Sequence, residues 1–170
     1  MEKDSRWANS TSQTREPDSA AREGDWSSPS NAVLSYTYVL LTALLTSEIQ
    51  ISGLDVYCGL VHRANRNAPA LALDLVEQFR QPLADRFVMY LFNKRILQAK
   101  DFIPTERYPV ALEDKARKRL LEHWERFLST PQKLLGAGDE LDPRTLIRRQ
   151  VGEFKKAVRD ERPYRNFRLC

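Results

Sequence analysis

Apolar residues along this chain recur at helical spacing, and they do so only after the first thirty positions. Residues 1 to 30, "MEKDSRWANSTSQTREPDSAAREGDWSSPS", are rich in Ser, Asp, Glu and Arg and hold no apolar period that could cover a core. A polar, mostly disordered segment over 1–29 is expected, with Trp7 and Trp26 as its aromatic exceptions. From Ser30 the pattern changes. Val33, Leu34, Tyr36, Leu40, Leu41, Leu44 and Leu45 fill most of a helix circumference, with Ser30 or Asn31 as the expected cap and Gly53 as the breaker. A helix apolar on nearly all sides belongs at the centre of a bundle.

The next periodic stretch, about residues 70 to 93, repeats Leu71, Leu75, Phe79, Leu83, Phe87 and Leu91, with Pro82 marking a kink or a break between two helices. Residues 94 to 111 read as irregular. "LEDKARKRLLEHWERFL" places Leu112, Ala116, Leu120, Trp124 and Phe127 on one face of a third helix. Asp142 caps a last helix that has Pro143 at its first position. No run alternates long enough to build a sheet, so the fold expected is an all-α, multi-helix bundle over residues 30–170.

Composition adds three constraints. The net charge is +4, and because the first thirty residues hold six acids against four bases, the helical part carries about +6. That surplus favours a polyanionic partner such as nucleic acid. Two cysteines, Cys58 and Cys170, form neither a disulfide framework nor a zinc set, so reduced thiols in a cytoplasmic protein are expected, with Cys58 as a small buried residue. The most apolar stretch, "AVLSYTYVLLTALL", is shorter than the roughly 20 residues of a membrane span and carries Ser, Thr and Tyr, so it reads as a core helix with no membrane role.

Candidate chemistry concentrates in "HRANRNAPALALDLVEQFR", residues 62 to 80. Asp74 and Glu77 stand three residues apart on a helix and project from nearly one face, beside Leu71 and Leu75. Acids bordering apolar packing need partners: a divalent cation, or Arg63, Arg66, Arg80 and Arg86. His62 could complete a His-plus-carboxylate site for Mg²⁺ or Mn²⁺, but the same letters also fit intrahelical ion pairs. His123, in a strongly charged helix, is expected to be solvated. The C-terminal bases Arg144, Arg148, Arg149, Lys155, Lys156, Arg159, Arg162, Arg165 and Arg168 could track phosphates or form a solvated face with intramolecular pairs.

Taken in order, "SNAVLSYTYVLLTALL", "GLDVYCGLVHRANRNAPALALDLVEQFRQPLADRFVMYLFN", "DF", "RRQVGEFKKAV" and "PYRNFRL" resemble the C-terminal helical domain of the CRISPR-associated integrase and endonuclease family, across residues 30 to 168. The resemblance implies a divalent metal, Mg²⁺ or Mn²⁺, held by a Glu, a His and a second acid, in an enzyme that cuts and joins DNA when new spacers enter a CRISPR array. His62 matches the family histidine in "GLVH" and Glu77 the metal-binding acid in "DLVEQFR". Asp74 matches the neighbouring acid, with a share in catalysis, and Arg80 and Asp85 the supporting pair. Arg63, Arg66 and Arg80 become DNA contacts.

The same resemblance implies partners and departures. DNA, both protospacer and CRISPR repeat, and the second, small adaptation protein are the expected partners, and the family forms homodimers. The family's β-rich N-terminal domain has no counterpart in this pattern, so a member truncated at its N-terminus is expected. Its first metal ligand, a Glu followed by Gly, finds Glu2 at roughly the right distance from His62 and Glu23 with the Gly but nearer the core helix. Two other readings stay open: a non-catalytic DNA-binding remnant, or one half of a split enzyme completed by another chain.

Overall fold

A computed structural model describes residues 28–61, 68–106, 110–133 and 140–166. The order is α1 (Pro29–Ile51), α2 (Ala70–Phe79), a π-helical turn (Arg80–Asp85), α3 (Arg86–Asn93), a 3₁₀ turn (Ala99–Asp101), β1 (Phe102–Ile103), β2 (Ala111–Leu112), α4 (Asp114–Ser129) and α5 (Pro143–Arg159). The fold is the all-α bundle expected, and β1 and β2 make only a two-residue antiparallel pair, Phe102 opposite Leu112.

α1 begins earlier than its apolar pattern suggested. Ser28, not Ser30 or Asn31, is the cap: its side chain accepts the Asn31 amide at 3.2 Å, and Pro29 occupies the first helical position, where a missing N–H costs nothing. Val33, Thr37, Leu41, Leu45 and Ile49 form a buried seam at spacing four, and the Thr37 hydroxyl is satisfied by the Val33 carbonyl at 2.8 Å. The helix stops where Gly53 adopts φ 77° and the Leu54 amide returns to the Ile49 carbonyl at 3.2 Å, a left-handed cap that suits glycine. At 23 residues α1 is long and apolar enough to cross a membrane by length and composition, but its seam is buried against α2, the π turn, α3 and α5. A stripe of Val39, Ala43 and Ser47 stays exposed.

The helix expected over 70–93 is a single rod in which Pro82 widens a turn instead of breaking it. Proline lacks the N–H of the helical ladder and its ring presses on the preceding turn, and a π turn accommodates both. Every member of the expected stripe, Leu71, Leu75, Phe79, Leu83, Phe87 and Leu91, is buried. In a regular α-helix a spacing of four drifts about 40° per step, so six positions would wind out of the core. Underwinding through Arg80–Asp85 offsets that drift and keeps Phe87 and Leu91 facing inward.

α4 buries Ala116, Leu120, Trp124 and Leu128, and Trp124 meets Phe87 edge-on at 5.0 Å. Phe127 is only half-buried, and Leu112 belongs to β2, so the face expected for this helix is shifted by one residue at its end. Asp142 caps α5 as expected, accepting the Thr145 amide at 2.8 Å, and Leu146, Ile147, Val151, Phe154 and Ala157 close the core. A Gln132–Leu141 bridge closes the connection between α4 and α5.

Candidate functional site

The site expected around residues 62–80 is built on the outer side of α2. Ala72, Val76 and Phe79 face the core, whereas Asp74 is half-buried and Glu77 exposed. Glu77 therefore does not border the apolar seam as the spacing suggested but stands on the side turned from it, with Asp74 at the margin.

Asp74 has a definite task. Its Oδ2 accepts the backbone amides of Leu60 and, at 3.0 Å, Val61. This fastens the segment between α1 and α2 to the first turns of α2, and the residue after Val61 is His62. The neighbouring Leu71 amide donates to the Val56 carbonyl at 2.9 Å, a second tie between the same segment and the same helix. His62, Arg63 and Arg66 lie outside the described residues, as do Glu2 and Glu23. Among the described residues no group of three or more His, Cys, Asp or Glu side chains comes together.

Glu77 receives the Arg80 guanidinium, with both carboxylate oxygens 3.2 Å from one Nη. Arg80 also lies over the Tyr38 ring, 4.3 Å from its centroid, a cation–π contact from α1. The Tyr38 hydroxyl donates to Asp85 Oδ1 at 2.7 Å. Arg80 and Asp85, the two ends of the π turn, thus converge on one tyrosine. Burial and the Asp85 carboxylate push the Tyr38 phenol above its ordinary range, so it stays a proton donor. Tyr38 is the member of this network that the sequence reading missed, because a Tyr in a strongly apolar helix looks like core.

On the next turn of α2, Gln78 and Gln150 of α5 both meet the Tyr164 hydroxyl, at 2.8 and 3.0 Å. One phenolic proton cannot serve two carbonyls, and Gln78 Nε2 is the one buried side-chain atom without a partner among the described residues. The conflict over the one proton is relieved when the Gln78 amide is turned to donate to Tyr164 and Tyr164 donates to Gln150, which leaves Gln78 Oε1 in the unpartnered position. This ties Tyr164, in the segment after α5, to the helix that bears Glu77.

Two expectations are corrected, and a third that was left open is narrowed. Cys58 is exposed, not buried; its thiol donates to Asp55 Oδ2 at 3.3 Å, and that hydrogen bond raises its pKa. His123 is half-buried beside Tyr90, with ring centroids 6.0 Å apart, not free in solvent. Most of the C-terminal bases are engaged: Arg144 with Glu125 at 2.7 Å, Arg148 with Glu48 at 3.1 Å, Lys156 and Arg162 with Glu153, Arg159 with Asp160, and Lys155 with the Ser52 carbonyl. Of the two openings left for that segment, the intramolecular face is the one seen.

Residues 20–126 match the family model described as CRISPR associated protein Cas1. A curated relative, "CRISPR-associated endonuclease Cas1 2" of Rhodospirillum rubrum, is 43% identical over 97 residues, which is 57% of this chain and 28% of that protein. This chain thus spans less than a third of that relative's length. Among solved structures, a casposase bound to integration product superposes with a TM-score of 0.67 at 27% identity, over 78% of this chain and 38% of that one. A partial Cas6-RT-Cas1–Cas2 complex shares the fold, with a TM-score of 0.66 at 22% identity over 84% of this chain and 42% of that one. With the order of helices, the stretch from α1 through α4 and these likenesses all in agreement, the chain belongs to the CRISPR associated protein Cas1 family.

Proposed function

We propose that this chain is the helical catalytic portion of a metal-dependent DNA endonuclease and integrase of CRISPR adaptation. The observation that carries the reading is the grip of Asp74 on the Leu60 and Val61 amides, which fastens the segment that precedes His62 in sequence to the helix that presents Glu77 one turn on. Family membership gives that arrangement its chemistry.

The donor set suits a hard to borderline divalent ion: carboxylate oxygens on α2 and the imidazole of His62, the residue that follows in sequence the segment held by Asp74. His62 and Glu77 would hold Mg²⁺ or Mn²⁺, and Asp74 acts as a positioning residue by fastening the segment before His62. Bound there, such an ion activates water or a hydroxyl and neutralises charge developing on a phosphodiester. Arg80 holds Glu77 in place until a cation competes for it, and Tyr38 gives the guanidinium a surface to rest on when it is displaced. Arg63 and Arg66, with Arg80, supply charge for the strand.

Protospacer and repeat DNA are the substrates in this reading, the small adaptation protein Cas2 is the partner, and a second copy completes a dimer. The cytoplasm, where the exposed Cys58 thiol stays reduced, is the compartment.

The test is a nuclease and strand-transfer assay on branched DNA with Mn²⁺, comparing the chain with His62→Ala and Glu77→Ala. Cleavage and joining by the parent, lost in both variants, is the expected result. Activity unchanged in His62→Ala would overturn the reading, and salt-sensitive binding without cutting would assign the chain to the DNA-binding remnant instead.

A further inference from the structure

Between α3 and α4 lies a cleft of about 360 Å³ that shares no lining residue with the candidate site on α2. Arg86 and Tyr90, four apart on α3, form one wall; His123, Arg126 and Phe127 on α4 form the other, and Thr130 and Gln132 close the end. No acidic side chain lines it.

Several surface arginines are neutralised from within the protein, but those that line this cleft are not. Arg80, Arg117, Arg119, Arg144, Arg148, Arg159 and Arg162 each meet a carboxylate. Arg86 and Arg126 do not pair with any described residue. The acids nearest in sequence are drawn elsewhere: Asp85 turns to Tyr38 of α1, and Glu125 turns to Arg144 of α5. Two guanidiniums thus line one opening with no paired carboxylate among the described residues.

The backbone offsets only part of that charge. α4 ends here, and its terminal carbonyls would repel an anion. Two of them are covered, because the Thr130 hydroxyl donates to the Arg126 carbonyl at 2.7 Å and Gln132 Nε2 to the Phe127 carbonyl at 3.3 Å. The walls carry half-buried rings held in fixed orientation. Tyr90 reaches His123 Nδ1 at 3.4 Å, and Phe127 packs on Phe87 at 5.1 Å.

We propose that this cleft binds a phosphate ester, with Arg86 and Arg126 gripping the phosphate oxygens and the Tyr90 and Phe127 rings meeting the sugar or base attached to it. Paired guanidiniums over planar donors match phosphate geometry, and aromatic walls accept any base face. The assignment of a nucleic-acid strand, rather than a free nucleotide, as the source rests on the DNA reading above; the grip on phosphate does not.

Two measurements on the full chain test this, both without divalent ion so that the candidate site on α2 is not engaged. In the first, fluorescence anisotropy follows a short labelled single-stranded DNA against the parent, Arg86→Ala with Arg126→Ala, and a control that loses two exposed bases at the other end of α4, Lys115→Ala with Lys118→Ala. The cleft variant is expected to bind at least about tenfold more weakly, with a salt slope lower by about one to two, and the control to change by less than about threefold. In the second, inorganic phosphate is titrated against the ¹⁵N-labelled chain, read at the Arg side-chain Nε–H signals and the Gln132 amide. Shifts confined to Arg86, Arg126 and Gln132 support the cleft. If those shifts appear while the parent binds no DNA, the cleft serves a free phosphate ester and the DNA reading fails. Equal affinity of cleft variant and parent, equal loss in the control, or no phosphate shift at the cleft would overturn the proposal.

Discussion

Glu48 of α1 and Arg148 of α5, a hundred residues apart in sequence, meet through two hydrogen bonds of 3.1 and 3.2 Å. Glu48 is buried, with 5% of its surface exposed, while Arg148 reaches it from the solvent side. A buried carboxylate left without its partner is strongly unfavourable. Arg148→Ala is therefore expected to lower the melting temperature clearly, and Arg149→Ala, one residue on and exposed, to leave it nearly unchanged. Calorimetry on the two variants decides it. Equal effects would mean that solvent alone satisfies Glu48.

Asp74→Ala removes both amide acceptors at the Leu60 and Val61 segment. Hydrogen exchange followed by mass spectrometry is expected to show faster exchange at those two amides, by about tenfold for the loss of roughly 1–2 kcal/mol of net hydrogen bonding. Protection in the core of α5 should not change. Unaltered exchange at Leu60 and Val61 would remove the positioning role assigned to Asp74.

Asp101 sets an acid limit on stability. Burial alone would raise its pKa, but the Arg119 guanidinium at 2.7 Å and the Gln98 amide at 2.7 Å overcome that and hold the carboxyl below its ordinary value. A folded-state pKa below the unfolded one stabilises fully above the unfolded value, about pH 4, and the contribution is lost as pH falls through the folded value. Melting temperatures of parent and Asp101→Asn should keep a constant gap between pH 7 and pH 5 and converge below about pH 4. A gap that persists at low pH would mean that the side chain acts through shape instead of charge.

Arg95 ends α3 in the left-handed region, with φ 54°, while the Ile96 amide returns to the Leu91 carbonyl at 2.9 Å. A side chain there costs about 1 kcal/mol relative to glycine. Arg95→Gly is expected to stabilise the chain by up to about 1 kcal/mol in urea unfolding, with the slope unchanged. A destabilised variant would show that Arg95 makes a contact worth more than its strain.

How much of this was legible in the sequence differs by element. The stripe from Leu71 to Leu91 and the Asp142 cap could be read directly, because apolar spacing and cap chemistry are local. The start of α1 could not, since Ser28 lies before the apolar run begins and its capping role depends on Pro29 beside it. Spacing put Asp74 beside the apolar stripe of α2 correctly but not Glu77, which is exposed, because which face is covered depends on where α1 packs. Cys58 looked like core by composition, yet it follows a turn closed by Asp55 and faces outward. Tyr38 and the cleft at Arg86 and Arg126 depend on contacts between helices far apart in sequence, and no local pattern encodes those.

The widened turn at Arg80–Asp85 has one more consequence, for insertions and deletions. Each residue of an ordinary α-helix advances the rod by about 100°. The widened turn takes up one residue more than regular winding over the same arc, so removing one residue here would return the rod to regular winding with α3 still facing inward. Adding one would swing α3 by about that angle, carrying Phe87 and Leu91 away from Trp124 and the core, and Arg86 away from α4. The phase between the two halves of the rod is thus stored as a residue count rather than in any one side chain. Exchanging a side chain in this turn is a local matter, but lengthening it by one would separate the α2 face that bears Glu77 from everything downstream.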